Sequence, residues 1–187
     1  MRVIIGGLIG GVVIFGWGAA AHMLTPLGHM GLRTIPKEQA LVSAMKEGIP
    51  APGLYFFPGR DLTRELTKEE DEAWKAMYKQ GPTGLLLYKA GGGLPPTPKQ
   101  LATELASNVL AAILAAYILA RSNAGYLGRV IIATLFGVIT WMDFTVSYWN
   151  WYGFPSEFAK GEAIMETVGW FAAGLFMAAY CKPQSPK

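Results

Sequence analysis

The sequence predicts a mainly α-helical protein: a bundle of four transmembrane helices with a small α+β extracytoplasmic segment between helices 1 and 2. Four apolar runs each approach the roughly 20 helical residues that cross about 30 Å of hydrocarbon. Composition agrees, because 52% of the 187 residues are hydrophobic and only 16% are charged. A water-soluble domain of this size would have to bury four apolar helices in one small core. The predicted spans are residues 3–24, 101–120, 126–151 and 163–180.

Charge is distributed unevenly between the two sides that four spans define. Both chain ends and the connection after the second span fall on one side, which carries basic residues and no carboxylate. These residues are Arg2, Arg121, Arg129, Lys182 and Lys187. The positive-inside rule makes this side cytoplasmic and places residues 25–96 outside the cytoplasmic membrane. The net charge of +3 then reflects topology, so we expect lipid and no nucleic acid as a partner.

Glycines form two overlapping GxxxG pairs in the first span, Gly6 with Gly10 and Gly7 with Gly11. Their missing side chains allow another helix to approach closely. This pattern favours a packed, retained span over a cleaved signal peptide, which the apolar run also resembles. The sequence leaves open whether the neighbouring helix belongs to this chain or to another.

The outer segment contains turn and capping signals that predict short elements. The expected elements are a helix at 37–47, a strand at 53–57, a helix from Thr67 to Gln80 and a strand at 84–89. Thr67 with Glu70, and Thr97 with Gln100, match the capping box, in which two orphan amides are satisfied reciprocally. The second span should therefore begin at Thr97. The resulting division is 1–24, 25–96 and 97–187, the last ending in a short cytoplasmic tail.

Polar side chains within the spans concentrate in their outer halves. In the third span, Asp143 and Ser147 lie four residues apart, on one helical stripe with Thr140 and Asn150. A charge deep in the bilayer costs about 2.5 to 3.5 kcal/mol, so Asp143 should face protein or water. Glu162 and Glu166 form a similar stripe in the fourth span. The candidate intramembrane site comprises His22, Glu104, Asn108, Asp143, Ser147 and Glu166.

The chemistry of this cluster stays open at the level of sequence. It could relay protons, bind a metal, or receive the head group of a lipid or quinone. None of its spacings is diagnostic, since HExxH and CxxC motifs are absent and the chain has only two histidines. We therefore assign no catalytic residue, metal ligand or cofactor. The structural alternative is interhelical hydrogen bonding, worth about 0.6 kcal/mol per contact.

Aromatic residues crowd the outer end of the third span. They include Tyr148, Trp149, Trp151, Tyr152 and Phe154. Such rings settle at the headgroup level of a bilayer, which is the structural interpretation. Because Trp and Tyr also dominate protein interfaces, this aromatic rim is in addition a candidate partner surface.

Three stretches, at 22–28, 53–58 and 147–155, resemble those of small uncharacterised bacterial four-span membrane proteins. The resemblance implies a bacterial source and the topology, and it brings no activity or site residues. Two classes of function remain. One is a non-catalytic accessory subunit of a larger membrane complex, respiratory or photosynthetic. The other is a small-molecule, lipid, quinone or proton-handling site in the outer half of the bundle, transporter-like or enzymatic.

Overall fold

The computed structural model describes residues 1–91 and 94–181, and this part of the chain is mainly helical, as predicted. Its helices are α1 (Arg2–Leu24), α2 (Glu38–Gly48), α3 (Lys68–Gln80), α4 (Pro98–Arg121), α5 (Tyr126–Thr140), α6 (Val146–Tyr152) and α7 (Ser156–Tyr180). Its strands are β1 (Gly53–Phe57) and β2 (Gly84–Tyr88). The predicted tail, with Lys182 and Lys187, lies outside the described residues.

The prediction of four long apolar helices is confirmed. They are α1, α4, α7 and a continuous helix from Tyr126 to Tyr152, and each is long and apolar enough to cross a membrane. Within the helix from Tyr126 to Tyr152, a π-helical turn, Trp141–Thr145, joins α5 to α6. Both capping boxes are also present, with the Thr67 and Thr97 hydroxyls accepting the expected backbone amides.

The described chain divides into two compact units. One contains residues 1–32 and 94–181, and the other contains residues 33–91. Residues 25–32 therefore pack with the long helices. Within this turn region, Gly31 has φ 81° and lies close to the backbone and side chain of Phe158. A left-handed conformation at such close range explains why glycine occupies this position.

In the long-helix unit, α1 packs against both α4 and α7, and α7 packs against α5. The two glycine pairs make the α1 contacts possible. A Cβ added at Gly7 would lie 2.5 Å from the Ile113 Cα, and one at Gly11 would overlap the Val109 Cα. Gly6 and Gly10 instead face α7, against Cys181 and Met177. Both GxxxG pairs thus contact helices of this same chain.

Small residues also bring α5 and α7 together. Gly137 lies against the Glu166 carbonyl, and a Cβ at Gly174 would meet the Ala133 Cβ at 2.8 Å. Arg129, at 6% exposure, is buried near the start of α5. Its guanidinium donates to the Ala178 carbonyl at 3.2 Å and to the Ala124 carbonyl at 2.6 Å. Because the last carbonyls of a helix lack intrahelical partners, Arg129 caps the end of α7.

The second unit, residues 33–91, which we call the outer unit after its predicted location, is built on an antiparallel pair in which Tyr55 is opposite Leu86. Helix α3 packs on β1 through aromatic side chains: the Tyr78 and Phe56 rings stack at 6.2 Å. The Trp74 indole also donates to the Pro58 carbonyl at 3.0 Å. Two side-chain pairs therefore fix this helix to the strand and the residue that follows it.

An exposed ion pair braces the loop before α3. The Arg64 guanidinium binds both carboxyl oxygens of Glu70, at 2.7 and 2.8 Å. Glu70 also accepts the Thr67 amide at 2.9 Å. The hydrogen bonds from Arg64, with that from Thr67, lower the pKa of Glu70 to about 2. This ionised carboxylate therefore serves both the capping box and the loop.

Candidate functional site

A cavity of about 380 Å³ lies between the C-terminal parts of α1 and α5 and the N-terminal parts of α4 and α7, which are the outer parts of these helices in the predicted topology. Its polar lining consists of His22, Glu104, Asn108, Thr140, Glu162 and Glu166. Its apolar and aromatic lining includes Ile14, Trp17, Ala111, Met165 and Trp170, with Gly18 and Gly169. A volume of this size is typical of small-molecule pockets, which combine apolar walls with a few convergent polar groups.

Helical spacing brings the polar groups to one level. Glu104 and Asn108 are one turn apart on α4, and the Asn108 amide donates to the Glu104 carboxyl at 3.3 Å. Glu162 and Glu166 are likewise one turn apart on α7, so both project toward the same face. Three carboxyl groups from two helices thus line a single cavity.

His22 is oriented by its own helix. Its Nδ1 lies 2.9 Å from the Gly18 carbonyl. A carbonyl can only accept, so Nδ1 carries hydrogen in this contact and Nε2 remains available. The imidazole is exposed at the outer end of α1. It therefore offers one ring nitrogen to a ligand or to solvent.

The aromatic wall is fixed by a contact between helices. The Trp17 indole donates to the Met165 carbonyl at 2.9 Å, joining α1 to α7. A Cβ at Gly169 would lie 3.0 Å from the Trp17 ring, so glycine makes room for the indole. Trp170 is buried and its ring packs 5.5 Å from that of Phe136. Because the Trp17 N–H is already hydrogen-bonded, only the ring of Trp17 is left to contact a ligand in the cavity.

Unfilled space at Gly18 distinguishes this cavity from a packed helix contact. Gly18 lines the cavity, and a Cβ placed there would meet no atom within 4 Å. In the inner part of the same helix, every glycine of the two GxxxG pairs would meet atoms of another helix. At Gly18, α1 therefore faces open space, whereas its glycines in the two GxxxG pairs face another helix.

The structure brings together four of the six predicted site residues: His22, Glu104, Asn108 and Glu166 line the cavity. Asp143 and Ser147 do not, and both are exposed on the surface of the unit. The phase of the helix explains the separation. The Trp141 indole donates to the Ala159 carbonyl of α7 at 2.8 Å, and Thr145, on the same side of the helix, is buried. Asp143 lies midway between them and so points away from α7.

The sequence-based candidate set omitted several lining residues, namely Glu162, Thr140, Trp17 and Trp170. Glu162 and Thr140 occupied the polar stripes, so helical phase did carry a signal for them. Trp17 and Trp170 carried none, because an aromatic residue in an apolar helix usually indicates packing or lipid contact. Their place in the wall follows from tertiary contacts alone.

The aromatic rim is partly packed and partly exposed. The Tyr148 ring contacts those of Phe144, Tyr152 and Phe154 at 4.5, 5.5 and 5.2 Å. Gly153, at φ 70°, ends α6 in the left-handed conformation, and the turn leads directly into α7. The rings of Trp149, Trp151 and Tyr152 remain 45%, 75% and 47% exposed. Tyr148 and Phe154 therefore hold the turn, while the other three face outward.

Metal binding finds no support in the described ranges, 1–91 and 94–181. Within them no three His, Cys, Asp or Glu side chains are close enough to hold a metal ion.

A second depression, of about 440 Å³, lies on the outer unit. Its charged side chains include Arg64 and Asp61, which already pair at 3.3 Å. The cavity between the long helices is thus the stronger candidate.

No protein-family model, curated protein or solved structure matches this chain. The arrangement of the cavity must therefore be interpreted from its own chemistry. It combines carboxyl groups, an imidazole, an amide and indole rings in a partly open space. Such a set can bind a polar ligand by hydrogen bonds and charge, or exchange protons with it.

Proposed function

We propose that this protein is a multi-pass membrane protein whose four-helix bundle binds a small molecule at the outer boundary of the bilayer. The observation that carries this proposal is the cavity of about 380 Å³, lined by polar groups from all four long helices. The membrane is a bacterial cytoplasmic membrane with both chain ends inside and residues 25–96 outside.

The height of the site supports this placement. His22 is 20 residues from Arg2, and Glu104 is 17 residues from Arg121. At a rise of 1.5 Å per residue, both lie roughly 25 to 30 Å from the inner ends of their helices. The hydrocarbon region is about 30 Å thick, so His22 and Glu104 lie near its outer boundary. A ligand would enter from the outer aqueous side or from the headgroup layer.

The lining favours binding over covalent chemistry. None of the residues that line the cavity is Ser, Cys or Lys. The Thr140 hydroxyl already donates to the Phe136 carbonyl at 2.9 Å. Glu162, Glu166 and His22 can hold a ligand or exchange a proton with it. The protein is therefore a carrier or receptor for its ligand in this proposal.

Gly18→Leu tests the proposal directly, because the leucine would occupy empty cavity space. Gly16→Leu is the matched control: Gly16 is on the same helix, also has no atom near its Cβ, and does not line the cavity. Native mass spectrometry of protein extracted gently from its own membrane should show a bound small molecule in the wild type and in Gly16→Leu. Gly18→Leu should lose it. Equal occupancy in the two variants, or none in the wild type, would refute the site.

A second candidate is an accessory subunit of a larger membrane complex, of respiratory or photosynthetic type. One observation favours it: Asp143 is exposed on the helix that runs from Tyr126 to Tyr152, and so are Trp149 and Trp151 toward the end of the same helix. The same mass spectra test this candidate. A stoichiometric protein partner that dissociates in Trp151→Ser, and stays bound in Gly18→Leu, would support it. A chain without any protein partner would exclude it.

A further inference from the structure

From the composition of the cavity we infer its ligand class: the bound group is an ammonium, presented by a small organic amine or by an amine-bearing lipid head group. This inference rests on the proposed binding function and adds the charge of the ligand. It depends on three properties of the cavity, namely unfilled space, the balance of charge and the distribution of hydrogen-bond acceptors.

The first property is space. The volume of about 380 Å³ and the empty position at Gly18 show that side chains of this chain do not fill the cavity. A packed helix contact would not leave room for even a methyl group. The space therefore accommodates a group larger than a single ion, consistent with the absence of a three-ligand metal cluster among the described residues.

The second property is charge. Every charged or titratable group that faces the cavity is known: His22 from α1, Glu104 from α4, and Glu162 and Glu166 from α7, while α5 contributes only Thr140. No Lys or Arg lines it. A carboxylate that loses water on ligand binding must gain a compensating positive charge or take up a proton, because an unpaired buried charge is strongly unfavourable. An ammonium supplies that charge, whereas an anionic head group would be repelled by three carboxylates and would have only the His22 imidazole and the Asn108 amide as donors.

The third property is the number of acceptors. An ammonium has three N–H donors and no acceptor. Among the described residues the Glu162 carboxyl has no side-chain hydrogen-bond donor, and the Glu166 carboxyl has one neutral donor, the Trp170 indole, so carboxyl oxygens remain for those donors. The indole wall at Trp17 adds a surface that attracts cations through its ring face. Carboxylates and an aromatic face together select a cation that carries carbon.

Three probes of similar size and different charge test the ligand class: ethanolamine, ethylene glycol and glycolate. The full chain is placed in nanodiscs of phosphatidylglycerol, and binding of each labelled probe is measured by equilibrium dialysis. Ethanolamine should bind, and the neutral and anionic probes should bind at least about tenfold more weakly. Losing one charge-assisted hydrogen bond costs about 1.5 kcal/mol or more, which is about tenfold in affinity.

Glu166→Gln and Glu162→Gln should each weaken ethanolamine binding about tenfold. Glu157→Gln is the control, since Glu157 is exposed in the first turn of α7 and does not line the cavity. Two variants are used so that a folding defect in one does not decide the result. Adding phosphatidylethanolamine separates the two sources: displacement of ethanolamine identifies the lipid, and unchanged binding identifies a free amine.

The outcomes separate this inference from the proposed function. If the probes bind equally, if ethanolamine does not bind, or if both glutamine variants bind it as the wild type does, the ammonium assignment is wrong. The cavity can still be a site in those cases, provided that Gly18→Leu removes the native ligand. If Gly18→Leu leaves both the native ligand and ethanolamine bound, the proposed function itself fails.

Discussion

Glycine has opposite effects on packing in the inner and outer parts of α1. Gly7 and Gly11 face α4 so closely that a Cβ would overlap the backbone at Ile113 and Val109. Gly16 and Gly18, two turns further out, have no atom within 4 Å of a Cβ position. Glycine therefore closes a helix contact in the inner part and leaves space in the outer part. Composition alone does not distinguish the two.

This difference has a simple origin in the neighbouring helices. Opposite the inner glycines, α4 and α7 present apolar side chains: Ile113 and Val109 face Gly7 and Gly11, and Met177 with Ala112 faces Gly10. Opposite Gly18 and Trp17 they present glutamates, whose longer and polar side chains cannot form the same dry contact. Helices joined by small apolar residues can approach closely, and helices that carry carboxylates cannot do so without water or a ligand.

The largest effect should come from filling an inner glycine. Gly11→Leu should destabilise the long-helix unit by about 3 kcal/mol, since the new side chain meets backbone atoms that cannot move aside. Gly16→Leu should leave stability nearly unchanged. Unfolding in mixed micelles titrated with dodecyl sulfate, followed by circular dichroism, measures both. Equal midpoints for the two variants would contradict the contrast between inner and outer glycines.

The next effect concerns the buried arginine of the inner part. Arg129→Met should cost about 2 kcal/mol in the same assay, because the Ala178 and Ala124 carbonyls would lose a charged donor. Arg121→Met is the control: its guanidinium is exposed and lies 4.7 Å from the Tyr117 ring centre. An exposed contact of this kind is worth about 0.5 kcal/mol. If Arg121→Met is the more damaging variant, Arg129 does not cap α7.

Replacing glycine by alanine should change stability less, and in opposite directions in the two parts of α1. Gly18→Ala should stabilise the helix by about 0.5 kcal/mol, since alanine loses less backbone entropy and meets no atom. Gly7→Ala should destabilise it, because the methyl would contact Ile113 at 2.5 Å. The comparison of these two single-methyl changes needs no assumption about ligand. A stabilising Gly7→Ala would show that the inner helices are not in close contact.

The smallest effect should come from the outer unit, whose ion pairs are exposed and screened by water. The carboxyl carbon of Glu70 should titrate with a pKa of about 2 by nuclear magnetic resonance, against an ordinary value of 4.5. A folded-state pKa below the unfolded one stabilises the fold above about pH 4.5, and this contribution disappears as pH falls toward 2.

Arg64→Gln is the variant that tests this ion pair. It should move the Glu70 pKa back toward 4.5, because the two hydrogen bonds from Arg64 are its largest cause. Arg60→Gln should leave the pKa low, since Arg60 stacks over Trp74 and does not bond Glu70. If the wild-type Glu70 titrates with a pKa near 4.5, the Arg64–Glu70 ion pair does not form in solution.

Local signals were sufficient to predict most of the secondary structure. Apolar runs predicted the four long helices, and the Thr67 and Thr97 capping boxes predicted where α3 and α4 begin. These signals depend on residues within one or two turns of each other, so they can be recognised in a single sequence. The π-helical turn at Trp141–Thr145 was not predicted, since it depends on keeping Trp141 and Thr145 against another helix.

The site was predictable only in part for the same reason. Position along the sequence placed Glu104, Asn108 and Glu166 in the outer halves of their helices, and helical phase placed them on the polar faces. His22 was predicted from its position at the end of α1. Helical phase also assigned Asp143 to the same cluster, because spacing shows which residues share a stripe and does not show which way that stripe faces. The indole walls depend on which helices are neighbours, and no spacing within one helix contains that information.

Arg129 has a further consequence for how the protein is made. A chain is synthesised from its N-terminus, so α5 leaves the ribosome before α7 exists to supply the Ala178 carbonyl. In the proposed orientation, the guanidinium is at first a free positive charge that retains its end of the helix in the cytoplasm. Once α7 has been inserted, the same group is buried as its cap. In that orientation, one side chain would serve first in membrane insertion and afterwards in the finished fold.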